Sequence, residues 1–133
     1  MSRRVAARRF SALSRAVLSA AVGLVLVGSA LEPSYAAGAF AIGKCGAYGK
    51  AIDYAAITEA KAAARKNCAG DCTTVTMKRA CAALSIDMKN PCGAHGYAVK
   101  PKISSSLNAA TRKCYESGGK ECVIRAWACD AKG

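Results

Sequence analysis

The chain has 133 residues, a formal net charge of +12 at pH 7 and a hydrophobic fraction of 53%. This length excludes an arrangement of several ordinary domains. The basic balance favours solubility and attraction to anionic surfaces, and it carries no information about the fold.

The first 36 residues have the pattern of a secretory signal peptide. Five arginines occupy the first fifteen positions, an apolar run covers residues 16–31, and Ala36 and Ala37 offer cleavage sites. An exporting translocase reads this order of basic head, apolar middle and small-residue exit. The run falls short of the roughly 20 residues of a spanning helix, so we predict cleavage, with an uncleaved anchor as the alternative. The arginine pairs partly match a twin-arginine signal, but the general secretory route is the default.

The mature part, residues 37–133, is predicted to be one domain without a membrane span. It has fifteen Lys and Arg against seven Asp and Glu, a net charge of about +8. A chain of this size buries only roughly two thirds of its surface on folding, so covalent cross-links stabilise it appreciably. All eight cysteines lie in this part. In an exported chain, an even number of cysteines at this density predicts four disulfides.

The first half of the mature chain is predicted to be a β-hairpin, a helix and a strand. Residues 39–43 and 48–54 flank a turn at Cys45-Gly46, as in a hairpin with a longer loop. Residues 57–68 are rich in alanine, with Glu59 early and basic residues late, which predicts a helix. Residues 72–79 alternate and contain β-branched side chains, which predicts a strand.

The second half repeats this order. Strands are predicted at residues 81–87 and 95–100, and Ser104–Ser106 offer caps for a helix that ends at Gly118-Gly119. A final strand covers residues 122–129. The apolar helix stripes are Ile57, Ala60, Ala64 and Cys68 in the first half and Leu107, Ala110 and Cys114 in the second.

A short motif is common to both halves. Cys-Gly-Ala-x-Gly-x-Ala occurs at residues 45–51 and again at 92–98, and we interpret it as a hairpin turn. Cysteines at 68 and 72 match those at 114 and 122. The sequence therefore predicts an α+β fold with a duplicated ββαβ unit, with repeats at about 38–80 and 81–130. We expect one antiparallel sheet with two helices on one face.

Eight cysteines permit many disulfide pairings, and the sequence does not choose among them. We favour local bridges that join each helix end to the next strand, a bridge between the two unmatched cysteines, and one between the two hairpin turns. These pairs are Cys68–Cys72, Cys114–Cys122, Cys81–Cys129 and Cys45–Cys92.

These residues resemble a known family. An alanine-rich helix ending in Cys68, a strand opened by Cys72, a Cys-Ala-Ala-Leu strand, and the same plan closing on residues 122–129 are similar to the secreted bacterial domain of unknown function 4189. The resemblance covers residues 37–133 and implies an exported or envelope-located α+β domain with disulfides. It brings no activity and no catalytic residues. Cys45 and Cys92 are additions to the usual pattern, and the hairpins have fewer aromatic residues.

No catalytic, cofactor or metal site is predicted. His95 is the only histidine, and Tyr48 takes its place in the other half. We interpret His95 as a surface or turn residue. The cysteines lack the Cys-x-x-Cys spacing of structural zinc sites, and paired cysteines leave no thiolate for catalysis. Trp127, on the sheet face shared by Val123 and Arg125, is expected to pack in the core beside Cys129, with a ligand platform as the alternative.

The function that these patterns favour is binding. Our first hypothesis is a secreted or periplasmic protein-interaction module, such as an inhibitor or immunity-type partner of an exported or envelope protein. The alternative is an envelope structural or adhesion component that holds an anionic polymer through Lys44, Lys50, Lys100 and Lys102. A third hypothesis is an enzyme whose site forms no recognisable pattern. Nucleic acid is not an expected partner, because the basic residues lack interleaved aromatic residues.

Overall fold

The computed structural model describes residues 37–130, so the predicted signal peptide lies outside the described residues. The strands are β1 (Ala37–Ile42), β2 (Tyr48–Tyr54), β3 (Thr73–Met77), β4 (Cys81–Asp87), β5 (His95–Lys100) and β6 (Cys122–Cys129), and the helices are α1 (Ile57–Lys66) and α2 (Ile103–Glu116). The protein is therefore α+β, as the sequence predicts. Neither described helix has the length and apolar character needed to cross a bilayer.

The strands form two antiparallel sheets rather than one. The first sheet has the order β2-β1-β3 and the second has the order β5-β4-β6. The expectation of a single sheet with both helices on one face is wrong. In each half, the first strand lies in the centre, the second strand pairs with it as a hairpin, and the helix carries the chain to the other edge.

The two central strands explain why there are two sheets. Every residue of β1 and β4 is buried. Phe40 and Ile42 on one face of β1 share a core with Leu84 and Ile86 of β4, while the small side chains on the opposite faces contact the helices. A single sheet would leave these large side chains in water, at about 1.5–3 kcal/mol each. The layers therefore follow the order α1, first sheet, second sheet, α2.

Only the beginning of the repeated motif forms a turn. Cys45 and Gly46 adopt positive φ angles of 56° and 74°, which turn the chain between β1 and β2. The later glycines, Gly49 and Gly96, lie within strands. A Cβ at Gly49 would overlap the backbone oxygen of Ala64 in α1, and one at Gly96 would overlap the corresponding oxygen in α2. These glycines let each helix lie against its edge strand.

Four disulfides use all the cysteines of the described part. Two of them join a helix end to the following strand, one joins β4 to β6, and one joins the hairpin turns of the two sheets. They are Cys68–Cys72, Cys114–Cys122, Cys81–Cys129 and Cys45–Cys92, the pairs favoured from the sequence.

The Asp87 carboxylate holds the segment that leads into β6. It accepts hydrogen bonds from the backbone N–H groups of Lys120 (3.2 Å), Lys89 (3.1 Å) and Glu121 (3.1 Å). Burial raises the pKa of the Asp87 carboxyl, but these three hydrogen bonds and the charge of Lys89 together lower the pKa below its ordinary value of 3.8. The carboxylate therefore stabilises the fold in its ionised form.

Replacement of Cys45 and Cys92 by Ser should leave a folded domain and lower its free energy of unfolding by about 4 kcal/mol, because the bridge closes a loop with a sequence separation of 47. The Cys68–Cys72 bridge spans only 4 positions, so its removal should cost about 2 kcal/mol. Urea denaturation of both double variants measures the two losses. An equal or reversed order would contradict the assignment of Cys45–Cys92 as the main long-range cross-link of the two sheets.

Replacement of Asp87 by Asn should lower stability at neutral pH and have a smaller effect in acid. Since the pKa of Asp87 is lower in the folded state, its contribution is complete above about pH 4 and is lost as the pH falls through the folded-state pKa. Thermal melting of the natural protein and the variant, measured at pH 7 and then in steps to about pH 2, tests this. Asp71→Asn, at an exposed site, is the control; a stability difference independent of pH would refute the role of the Asp87 charge.

Candidate functional site

A groove opens between the edge strands of the two sheets. Its walls are Tyr48, Lys50 and Ile52 of β2 and residues 124–129 of β6, and its volume is about 750 Å³. We call it the β2–β6 groove. Since β2 belongs to the first sheet and β6 to the second, the groove exists only because the two sheets stack face to face.

Each wall strand has one extra residue relative to the central strand with which it pairs. In β6, Leu84 pairs with Ala126 while the next residue, Ser85, pairs with Ile124, so Arg125 is the extra residue. In β2, an irregularity with Asp53 at a φ of 62° lies just beyond Ile52. Such bulges re-aim side chains and are over-represented next to functional sites.

The bulge in β6 directs Arg125 towards the first sheet. Its Nε donates a long hydrogen bond of 3.4 Å to the backbone oxygen of Gly46, and its guanidinium lies 5.7 Å from the centre of the Tyr48 ring. Tyr48 in turn stacks on the buried Phe40, with ring centres 6.2 Å apart. A cation over an aromatic face is an attractive arrangement, and it fixes both side chains at one end of the groove.

Trp127 is exposed, contrary to the expectation of core packing. Its side chain is 52% accessible. The bulge also separates it from Val123, since Trp127 pairs with Ala83, whereas Val123 pairs with Ile86 on the opposite face. Ile52, on the other wall of the groove, is 45% accessible. Both residues line the groove, and Trp127 leaves β6 on the face of Ala83, the face against which α2 packs.

The lining of the groove is cationic. Lys50 and Arg125 belong to it, and none of the described residues that line it is Asp or Glu. Tyr48, Arg125 and Trp127 were missed as a site from the sequence. The available signal was the alternation of the large residues Arg125 and Trp127 with the small residues Ala126 and Ala128, which predicts that the small side chains face the core and the large ones lie away from it.

A second groove lies at the equivalent position on the other side of the sheets, between β3 and β5. It is smaller, at about 250 Å³, and its lining includes Lys44, Asp71, His95 and Tyr97. Neither of its strands has a register irregularity. The two halves of the domain share a topology, and they differ most where they form these grooves.

A comparison with models of protein families identifies the family of this chain. The model of the domain of unknown function DUF4189 matches residues 37–129. The chain belongs to the DUF4189 family. No curated protein and no solved structure matches it.

The four lysines expected to hold an anionic polymer are distributed over this DUF4189 domain. Lys44 lines the β3–β5 groove and Lys50 lines the β2–β6 groove. Lys100 pairs with Cys81 at the far end of β5 from the hairpin turn, and Lys102 directly precedes α2. The structure therefore does not bring the four side chains together into one site.

His95 lies on the surface of the DUF4189 domain. Its Nδ1 is 3.2 Å from the backbone oxygen of Gly93, and it borders a cavity of about 540 Å³ whose lining also includes Lys113 and Glu116. Within residues 37–130, no three His, Cys, Asp or Glu side chains cluster as metal ligands would. The cysteines of this part are all bridged.

The exposure of Trp127 can be measured directly, because it is the only tryptophan in the chain. The native protein should show tryptophan emission near that of the denatured protein, and acrylamide should quench it readily but less than after denaturation, because about half of the residue is covered. A blue-shifted emission protected from acrylamide would contradict an exposed ring. N-acetyltryptophanamide in the same buffers is the reference for full exposure.

Proposed function

We propose that this DUF4189 domain is an exported binding module that holds another protein in the β2–β6 groove. It acts by binding rather than by chemistry, as an inhibitor or immunity-type partner would. The proposal rests on the groove and on a chain pattern suited to export, with a signal-peptide pattern at residues 1–36 and four disulfides in the domain.

One observation carries the proposal. Trp127, Arg125 and Tyr48 all line one open groove, and Trp127 has half of its surface in water. Tryptophan, tyrosine and arginine are the residues most often found to dominate the energetics of protein interfaces. Burial of Trp127 by a partner would remove an apolar surface that the isolated fold leaves exposed.

The architecture supports the same interpretation. The shared order of strands and helix in the two sheets supports a duplicated ββαβ unit, with repeats at about 38–80 and 81–130. By strand register, Trp127, which pairs with Ala83, corresponds to Thr76, which pairs with Ala39, and both residues are exposed. We interpret the aromatic ring at this exposed position as a specialisation of the second sheet, because the first sheet has a threonine there.

The polymer hypothesis finds less support. Its four lysines occupy separate places, so a polymer would have to contact several surfaces at once to use them all. Binding through scattered surface charges is strongly weakened by salt, whereas an apolar groove retains its partner. Salt dependence therefore separates the two hypotheses.

Affinity capture tests the proposed function. The full chain is produced in an exporting bacterial host, purified as the host processes it, and used as bait with envelope proteins. We expect specific prey to be retained by the natural protein and lost with Trp127→Ala. Tyr115→Ala is the matched control, because Tyr115 on α2 is 50% accessible and lies outside the groove.

The Tyr115→Ala control distinguishes binding in the groove from nonspecific adsorption to exposed aromatic residues. Prey lost equally with Tyr115→Ala, or retained by both variants, would place binding elsewhere. Prey that depends on neither aromatic residue and is released by moderate salt would favour the lysine-based alternative. Circular dichroism of each variant checks that the fold is intact.

A further inference from the structure

We infer that the β2–β6 groove binds a short, extended protein segment that carries acidic residues beside a large apolar side chain. This inference rests on the proposed function and names the chemistry of the partner. It combines three properties of the groove: its charge, its apolar walls and its length.

Charge selects an acidic partner. Lys50 and Arg125 contribute two cations to a lining that has no carboxylate within residues 37–130, and the mature chain as a whole is strongly basic. A second copy of this chain is disfavoured as the occupant, since a two-fold contact of groove against groove would bring the same cations of both copies together. A segment with Asp or Glu instead complements both walls.

The apolar residues of the groove suit a large apolar side chain of a partner. Ile52 and Trp127 belong to opposite wall strands and are each about half exposed. Ala126 and Ala128, which alternate with Trp127 in β6, are buried in the core between the sheets. An aromatic or aliphatic side chain of a partner that lies along this open edge can contact Ile52 and Trp127 and bury part of both surfaces.

Length selects an extended segment. The distance along β2 from Tyr48 to Ile52 is about 13 Å at the usual rise of a strand. About four or five extended residues therefore fill the groove, with room for one apolar side chain and flanking acids. The bulges in both edge strands disfavour regular backbone pairing with an added strand. Recognition is therefore expected to use side chains.

Selection from a library of random linear peptides, displayed on phage, tests this chemistry. The natural full-chain protein should enrich peptides that combine Asp or Glu with a large apolar residue within a few positions. A synthetic peptide of the enriched type should bind about 30-fold more weakly to Trp127→Ala and up to about tenfold more weakly to Lys50→Gln, with the lysine effect shrinking as salt is raised.

Two control variants keep the result specific. Lys61→Gln removes an exposed lysine of α1, and Tyr115→Ala removes an exposed aromatic residue of α2; both should bind the peptide as the natural protein does. Arg125 is not used as a test, because its hydrogen bond to Gly46 also supports the turn that contains Cys45.

The outcomes distinguish the partner's chemistry from the function itself. Peptides that are apolar without acids, and that depend on Trp127, would overturn the acidic segment and leave the protein-binding groove in place. Failure to enrich any peptide, with captured prey still dependent on Trp127, would also overturn the inference alone. Binding of polygalacturonate that Trp127→Ala abolishes, with no peptide and no prey, would overturn both in favour of an acidic polysaccharide.

Discussion

The packing of β1 against β4 is the contact on which the rest of the structure depends. Both strands are buried along their full length, with large side chains towards each other and small ones towards the helices. Close-packed interiors require this complementarity of size. It lets the alanine-rich helices approach closely on the outer faces, and it places the edge strands of different sheets side by side, where the grooves form.

The two halves of the domain follow one plan and depart from it at β2 and β6. Both strands have a bulge, both line the larger groove, and the corresponding strands β3 and β5 pair regularly. A bulge disturbs the regular pairing of a strand, so two bulges beside one cleft suggest selection for the positions of the side chains. Arg125 shows the result, since the extra residue directs its guanidinium from one sheet to Tyr48 of the other.

Local sequence signals predicted the elements well and their assembly incompletely. The bounds of β4, β5 and β6 follow from flanking turn residues and from cysteines at strand ends, and the stripe through Ala60 and Ala64 correctly marked the buried face of α1. Whether the halves join edge to edge or stack is a long-range property. The signal for stacking was present in β1 and β4, where apolar residues occupy both alternating positions, as in strands covered on both faces.

The prediction that Trp127 packs in the core is wrong for a different reason. Strict alternation assigns Trp127 and Val123 to one face, but one extra residue reverses the faces beyond it. No glycine or proline in residues 122–129 marks that bulge. The hydroxyl of Ser85 in β4 donates a hydrogen bond of 3.0 Å to the backbone oxygen of Val123 in β6, close to the bulge. The two residues are 38 positions apart in the chain. Sequence periodicity does not contain such a contact.

The bridge between Cys45 and Cys92 has a consequence for affinity. The walls of the β2–β6 groove come from separate sheets, and this covalent bond ties the turn that leads into β2 to the turn on the other sheet. The spacing of the walls is therefore set before any ligand arrives. A preorganised cleft loses little conformational entropy on association, so more of the contact energy is retained as affinity. A domain of this small size thereby holds the walls of the proposed binding groove at a fixed spacing without a large core.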